Sequence, residues 1–498
     1  MVRTDKNSQM NHFILNRSIK NYFKLISGDI VVKFLGLLTF AFYARYLGKK
    51  ELFVFPLYTM VADLASITFG FGLLPTMVKM LPEMFKQSKV EGMSVFYTAG
   101  LIVIVGSGLF GVLIYVNTEW LIDLFDLVGD LTSVIGFISV GCVFRSALKV
   151  LHNLAWTTGL FGKLSIIKIV TFCVGTLLNI SLLLKFNIIG LLYAFIAKDV
   201  IVILIYIGIL KSYLFTKYFR ICKISMLFKT SMPFYFESFF MYFRQNGDNW
   251  IVTTYLGPQI LSVYYVAKKV YTNVSFIFES LDKVFTINIG TIYANKSLLK
   301  WKVDSYFQLF MTTVCPGVFV LAGLMPFMIP IIAGTGFGDA VVPGQILLIN
   351  GLIASINSVF FRIIFFSYSA TRRVYFTVVE SVVLIASLFI LTPCFLIDGI
   401  VISRLFSSIF ICVYLSIIVK KYFDIKLFYI DKTKLNLKFI CLSIAFFLIL
   451  YLPQIMITEI IIYAVFVAFS FLLIFILFKN FLIFSYKKTI NEIVMQKN

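Results

Sequence analysis

The sequence predicts an all-α integral membrane protein of about fourteen transmembrane helices. Three observations predict it: the composition, the length of the apolar runs, and the side on which basic residues fall between them. Of 498 residues, 60% are hydrophobic and 13% charged, and the mean hydropathy is +0.97. A soluble domain carries about 25% charged residues. This chain has too little polar surface to face water on all sides, so the bilayer must be its solvent.

A spanning helix needs about 20 mostly apolar residues. Such runs occupy 29–47, 53–77, 93–116, 132–150, 164–184, 188–210 and 232–256. They continue at 260–282, 306–330, 341–366, 374–394, 397–419, 436–453 and 458–478. The seventh run is the most polar. Every connection is short, which leaves no room for a soluble domain. Residues 1–27 are polar and basic, with no apolar core and no small-residue cleavage site. The first helix is therefore expected to direct its own insertion.

The placement of basic residues tests this map independently. With the N-terminus inside, the loops on that side hold Arg3, Lys6, Arg17, Lys20 and Lys24, then Lys79, Lys86 and Lys89. Arg145, Lys149, Lys163 and Lys168 follow, and the pattern runs on to the lysines from Lys420 to Lys438 and from Lys479 to Lys497. The opposite side carries Lys49, Lys50 and Lys185, and one loop there reads Glu119, Asp123, Asp126, Asp130 without a base. The net charge of +21 is thus an orientation signal and not a nucleic-acid footprint. Seven scattered cysteines form no C-x-x-C pair and read as small packing residues. His12 and His152 lie too far apart in sequence to suggest a metal cluster.

The chain also repeats itself. Tyr46-Leu47-Gly48 recurs as Tyr255-Leu256-Gly257, and Phe186-x-x-x-Gly190 recurs as Phe395-x-x-x-Gly399, both at an offset of 209. The repeated unit is six helices, an even number, so both copies enter the membrane in the same orientation. That predicts two parallel six-helix repeats related by an axis along the membrane normal, plus two C-terminal helices. The expected organisation is a cytoplasmic segment 1–27, a bundle 28–210 and a basic linker 211–230. A second bundle 231–419 and a segment 420–498 with two further helices and a tail complete it.

Enzyme motifs are missing: there is no G-x-x-x-x-G-K-[ST] loop, no H-E-x-x-H and no G-x-S-x-G. Gly334-Thr335-Gly336-Phe337-Gly338 matches a dinucleotide fingerprint by letters only, with no strand before it. No cofactor is expected. The informative residues are charges inside the spans, which cost roughly 2.5–3.5 kcal/mol each at a helix centre on insertion scales. They are Asp29, Lys33, Arg45, Asp63, Lys198, Asp199, Glu237, Arg244, Asp248, Lys268, Lys269, Glu380 and Arg404. Asp29 and Lys33 stand four apart and pair readily on one helix face, and Lys198-Asp199 and Glu380 read as local pairs. Arg45, Arg244 and Asp248 lie in the first helix of each half, and Lys268 and Lys269 lie well inside the eighth helix. Few acids remain to neutralise this set, and surplus guanidinium and ammonium groups suit phosphate. Lys33, Arg45, Arg244, Asp248, Lys268, Lys269 and Arg404 are therefore the substrate-binding candidates. Asp63, Glu237 and Asp248 are the ion-coupling candidates.

Lys33-Phe-Leu-Gly36 with Ala44-Arg45-Tyr46-Leu47-Gly48, and Gly70-Phe-Gly72-Leu-Leu-Pro75 closing the second helix, resemble the start of polysaccharide (O-antigen) flippases of the Wzx type. Gly247-Asp248-Asn249-Trp250 leading to Tyr255-Leu256-Gly257 and Val263-Tyr264-Tyr265-x-Ala267 strengthens the resemblance, which covers about 20–480. That family belongs with the multidrug (MATE) exporters and the lipid II flippase. The resemblance implies a MATE-like fold in a bacterial inner membrane. It also implies export of an undecaprenyl-diphosphate-linked oligosaccharide, with Arg45, Asp248 and their neighbours lining a cationic cavity. Membrane lipid, H⁺ or Na⁺ as coupling ion and other polysaccharide assembly proteins are the expected partners; nucleic acid is not. The lipid II flippase carries an Arg-Asp pair where this chain has neutral Leu37 to Phe42, which argues against that substrate. A cation-coupled multidrug or metabolite antiporter is the second reading, and a membrane glycosyltransferase the third.

Reporter fusions check the topology. A reporter after Asn498 is expected in the cytoplasm and one at Glu119 outside; the same side for both would overturn the map.

Overall fold

The computed structural model describes residues 32–125 (34 excepted), 132–215, 224–292, 314–367 and 370–423, with scattered positions between 299 and 310. Among the described residues every regular element is helical, and helix occurs at each of the first twelve expected spans. The expected spans 436–453 and 458–478, the segment 1–27 and Asp29 lie outside the described residues.

Helix α1 is Leu35–Glu51, followed by α2 (Val54–Thr68), α3 (Leu73–Gln87) and α4 (Lys89–Val116). A short α5 (Thr118–Leu124) precedes α6 (Thr132–Thr157) and α7 (Phe161–Leu214). Then come α8 (Ile224–Leu256), α9 (Pro258–Ile292), α10 (Cys315–Gly323) and α11 (Met325–Ala333). A 3-10 turn (Thr335–Ala340) leads into α12 (Val341–Ser367) and α13 (Ala370–Phe423). Among the described residues five segments are long and apolar enough to cross a membrane, or seven if each of two bent pairs is one span.

Two of those segments must be double. A helix rises about 1.5 Å per residue, so the 54 residues of α7 would reach ~80 Å, far beyond a ~30 Å hydrocarbon layer. The chain solves this with a break at Phe186 and Asn187, where Asn187 takes φ 52°. With ψ −138° this lies outside the left-handed helical region, a conformation that costs a non-glycine residue about 1–3 kcal/mol. Gly190 lets the two arms close tightly, because a Cβ there would lie 1.9 Å from the Leu182 carbonyl oxygen. Helix α13 breaks in the same way at Leu396, φ 51°, shortly after Pro393 has removed a backbone donor from the ladder.

Asn187 and Leu396 stand 209 residues apart, as do the starts of α6 and α12 and both ends of α7 and α13. The left-handed glycines Gly48 (φ 63°) and Gly257 (φ 85°) share that spacing. The internal repeat of the sequence is therefore a repeat of local structure.

The expected second helix, 53–77, is two helices. A turn at Phe69–Gly72 separates α2 from α3, with Phe71 at φ 45° and Gly72 at φ 69°. Close packing explains it. A Cβ on Gly72 would lie 2.4 Å from the Tyr235 nitrogen and 2.6 Å from the Ser231 oxygen, so the α8 backbone passes directly against the turn. From the other side, Gly106 of α4 admits Phe69, whose Cβ and carbonyl oxygen would both stand 2.8 Å from an added Cβ.

The chain divides into two compact units. The first contains the chain through Tyr265 with 332–336 and 377–397; the second contains 266–331, 337–376 and the residues from Asp398 onward. In the first, α6 is the hub and packs against α2, α3, α4 and α7. Its core joins Leu73, Met77, Met93, Val103, Leu154 and Leu210. The outer face of α4 exposes Leu101, Val105, Leu109 and Val112, an apolar stripe at helical spacing that only lipid covers without cost. In the second unit α10 packs on α12, and the Gln345 amide donates to the Ala322 carbonyl at 3.1 Å. The Asn357 amide donates to the Ser408 carbonyl at 2.9 Å. Phe406, Phe410, Val413 and Ile417 form its lipid-facing stripe on α13.

Gly72→Ala is expected to destabilise the protein by more than about 2 kcal/mol, since it adds a backbone clash to an unfavourable φ. A thermal unfolding curve in detergent reads this as a lowered midpoint; an unchanged midpoint would show that the turn and α8 are not in contact.

Candidate functional site

Among the described residues, a cluster of three charges lies where α2 meets the hub helix α6. Asp63 of α2 is gripped by two bases: Arg145 Nε donates to its Oδ1 at 3.0 Å, and Lys149 Nζ reaches the same oxygen at 2.8 Å. Lys149 also donates to the Ser66 hydroxyl at 2.6 Å, while Ser66 donates to the Asp63 carbonyl at 2.9 Å. Arg145 and Lys149 are one turn apart on α6 and so share a face. The expectation that they sit in a cytoplasmic loop is thereby corrected. Helix α6 continues to Thr157, and Arg145 falls near its middle. Ending that span at 150 made two interior charges look like flanking ones.

These three side chains remain partly open. Asp63, Arg145 and Lys149 keep 26%, 27% and 33% of their side-chain surface, whereas Met60, Ala62, Ala65 and Cys142 around them keep none. On α2 no described residue is fully exposed, and partial exposure recurs at Phe55, Thr59, Asp63 and Ile67, every fourth residue. Leu64 and Thr68 beside these are also half-buried, so the partly open face is two residues wide toward the end of the helix.

Further along the interior, Tyr58 is buried with its hydroxyl unbonded, fitted against Gly141, and Asp199 is buried with Oδ2 unbonded. The other Asp199 oxygen meets Lys198 at 3.2 Å. A second polar group gathers on α8. Asp248 is fully buried, accepts from the Tyr264 hydroxyl and takes the Asn249 backbone N–H at 2.9 Å. The Trp250 indole donates to Tyr242 at 2.7 Å, and Tyr242 donates to the Met60 carbonyl of α2 at 2.8 Å. Arg244 donates to Glu380 at 2.8 Å, and Ser381 beside it donates to the Phe240 carbonyl at 2.9 Å. These two bonds tie α8 to α13 within the first unit.

The remaining candidates are spread out. Lys33 is half-buried near the start of the described chain, and Arg45 is exposed on α1, its Cγ 3.9 Å from where a Gly334 Cβ would stand. Glu237 is half-buried on α8. Lys268 and Lys269 on α9 and Arg404 on α13 are half-buried in the second unit. Asp63, expected from the sequence as an ion-coupling candidate, has two bases as partners that the candidate set does not include. The legible signal was a pair of cations at i and i+4, well inside an apolar run that extends past residue 150.

A family model described as "Polysaccharide biosynthesis protein" matches residues 42–342, a span that includes Asp63, Arg145, Lys149, Arg244 and Asp248. Among solved structures, the lipid II flippase MurJ in an inward closed conformation superposes with a TM-score of 0.69 at 18% identity, covering 94% of this chain and 100% of that one. An inward-facing multidrug resistance MATE family transporter of the MOP superfamily gives 0.62 at 14% identity, over 79% of this chain and 95% of that one. An outward-facing MATE transporter gives 0.55 at 14% identity, over 82% and 95%. No curated protein matches the chain. At these identities the structural likeness establishes the fold: a multi-pass α-helical membrane protein of the MurJ and MATE kind.

The Arg244–Glu380 pair yields a stability test. Arg244→Gln removes the ionic partner at 2.8 Å from a nearly buried carboxylate and is expected to cost on the order of 2 kcal/mol. This is below the about 3–5 kcal/mol of a fully buried pair because Arg244 keeps 30% of its surface. The double variant Arg244→Gln/Glu380→Gln should recover most of the loss in thermal unfolding; no recovery would mean that the pair is not formed.

Proposed function

We propose, since the chain belongs to the polysaccharide biosynthesis protein family, that it is a flippase for a lipid-linked sugar. The substrate is an undecaprenyl-diphosphate-linked oligosaccharide, an O-antigen or similar repeat unit, carried from the cytoplasmic to the outer face of a bacterial inner membrane. The family match over 42–342 is the observation that carries this reading. The basic character of the interior supports it against the rival, a cation-coupled multidrug or metabolite antiporter, which needs acidic walls for its cargo.

The physical task fits such a chain. The polyprenyl tail stays in lipid while a diphosphate and its sugars cross a ~30 Å layer in which they have no partners. Two six-helix bundles, 28–210 and 231–419, joined by the basic linker 211–230 and followed by two helices in 420–498, would open the head-group path alternately to each side. Both termini lie in the cytoplasm in this reading. Moving one negative charge outward across an inside-negative potential is favourable by about 2.3 kcal/mol per 100 mV, so the step needs no nucleotide site. Lys33, Arg45, Arg244, Asp248, Lys268, Lys269 and Arg404 are the proposed head-group contacts. Exchange against H⁺ or Na⁺ would use Asp63, Glu237 or Asp248.

Deletion in the native host is the decisive experiment. Loss of surface polysaccharide with accumulation of undecaprenyl-diphosphate-linked oligosaccharide inside the cell is expected. Normal polysaccharide together with increased sensitivity to cationic drugs would favour the antiporter instead.

A further inference from the structure

We propose that Arg145 and Lys149 form the seat for the diphosphate of the lipid-linked substrate, and that Asp63 is the counter-ion holding this seat when it is empty. This rests on the flippase reading and assigns its anion to residues not among the head-group contacts given above.

Charge balance is the first argument. Arg145 and Lys149 both bond the same Asp63 oxygen, so one carboxylate serves two cations and one positive charge is left over. The next acid that Arg145 feels, Asp199, is already bonded to Lys198. Like charges at i and i+4 repel along a helix, and each charge in a span is costly. Packing alone gives no reason to place two bases opposite one acid; a transient anion does.

Donor geometry is the second argument. Asp63 engages Arg145 through Nε. The terminal pair of guanidinium nitrogens, the fork that matches phosphate oxygens in a bidentate way, is therefore not spent on Asp63. Lys149 divides its donors between Asp63 and Ser66, and a third ammonium hydrogen stays available. Arg145 can thus take one phosphoryl group and Lys149 the neighbouring one, while Ser66 steadies the ammonium.

Access is the third argument. The cluster is open on one side at 26–33% of its side-chain surface. That opening belongs to the partly open face of α2 formed by Phe55, Thr59, Asp63, Leu64, Ile67 and Thr68, on a helix without a fully exposed residue. Arriving phosphate would compete with Asp63 for the same two bases. Asp63 thereby sets how tightly the head group is held, which lets the seat release it.

The test uses the full chain in nanodiscs of zwitterionic phosphatidylcholine, with undecaprenyl diphosphate as probe and native mass spectrometry as readout. Arg145→Gln/Lys149→Gln should weaken binding by about tenfold or more, the loss expected for one or two charge-assisted pairs. The triple variant with Asp63→Asn added, which leaves no orphaned carboxylate, should be equally weak. Asp63→Asn alone should bind several-fold more tightly, an outcome that a purely structural salt bridge would not produce. Inorganic pyrophosphate should compete with the lipid in the wild type and not in the triple variant. Wild-type binding with no change in the triple variant would overturn the seat and leave the flippase reading standing. An unchanged or weakened affinity in Asp63→Asn would overturn the counter-ion role. A wild type that binds no undecaprenyl diphosphate would overturn both readings.

Discussion

Inside a bilayer a charged side chain has no water to fall back on, and the arrangement of this protein follows from that constraint. Each interior charge described above is met by a group on the same chain. Asp63 is met across two helices by Arg145 and Lys149, Glu380 by Arg244, and Asp248 by Tyr264. Such contacts fix which helix faces turn inward, and the apolar stripes of α4 and α13 are what is left for lipid. A bundle whose helices share apolar surfaces with the surrounding tails gains little from hydrophobic burial, so polar bonds and close backbone approach carry more of its specificity.

Much of the fold was legible because a span is a matter of length and hydropathy. The expected 93–116 is α4, extended four residues toward Ser88, whose side chain caps Val90. The breaks inside α7 and α13 were expected as separate helices, since neither 54-residue stretch fits one crossing. What hydropathy missed was the Phe69–Gly72 turn. Its cause is not local polarity but the close approach of α8, which only the missing side chain of Gly72 permits. The polar seventh run also proved longer than its apolar part, starting at Ile224 ahead of Pro233.

The candidate site was less legible, for a physical reason. Composition lists the interior charges, but it does not say which of them share a face across helices. Asp63 finds its bases 82 and 86 positions downstream, and Arg244 finds Glu380 136 positions away. An i, i+4 rule reaches only pairs on one helix, as it does for Arg145 and Lys149 themselves. Those two were misplaced because basic residues near an apolar boundary carry two meanings, anchor or cargo contact, and sequence alone favours the first.

The break at Asn187 bears on how the chain is made. Two arms of about 25 residues meet at a reversal of two residues, Phe186 and Asn187, closed against Gly190. No hydrophilic loop has to be threaded across the membrane ahead of the second arm. The pair is therefore suited to leave the ribosome and enter lipid together, as one helical hairpin. The second arm then needs no insertion signal of its own, and its interior Lys198 and Asp199 can go in already paired with each other. Biogenesis and architecture thus draw on the same short reversal, and the chain repeats it 209 residues later at Leu396.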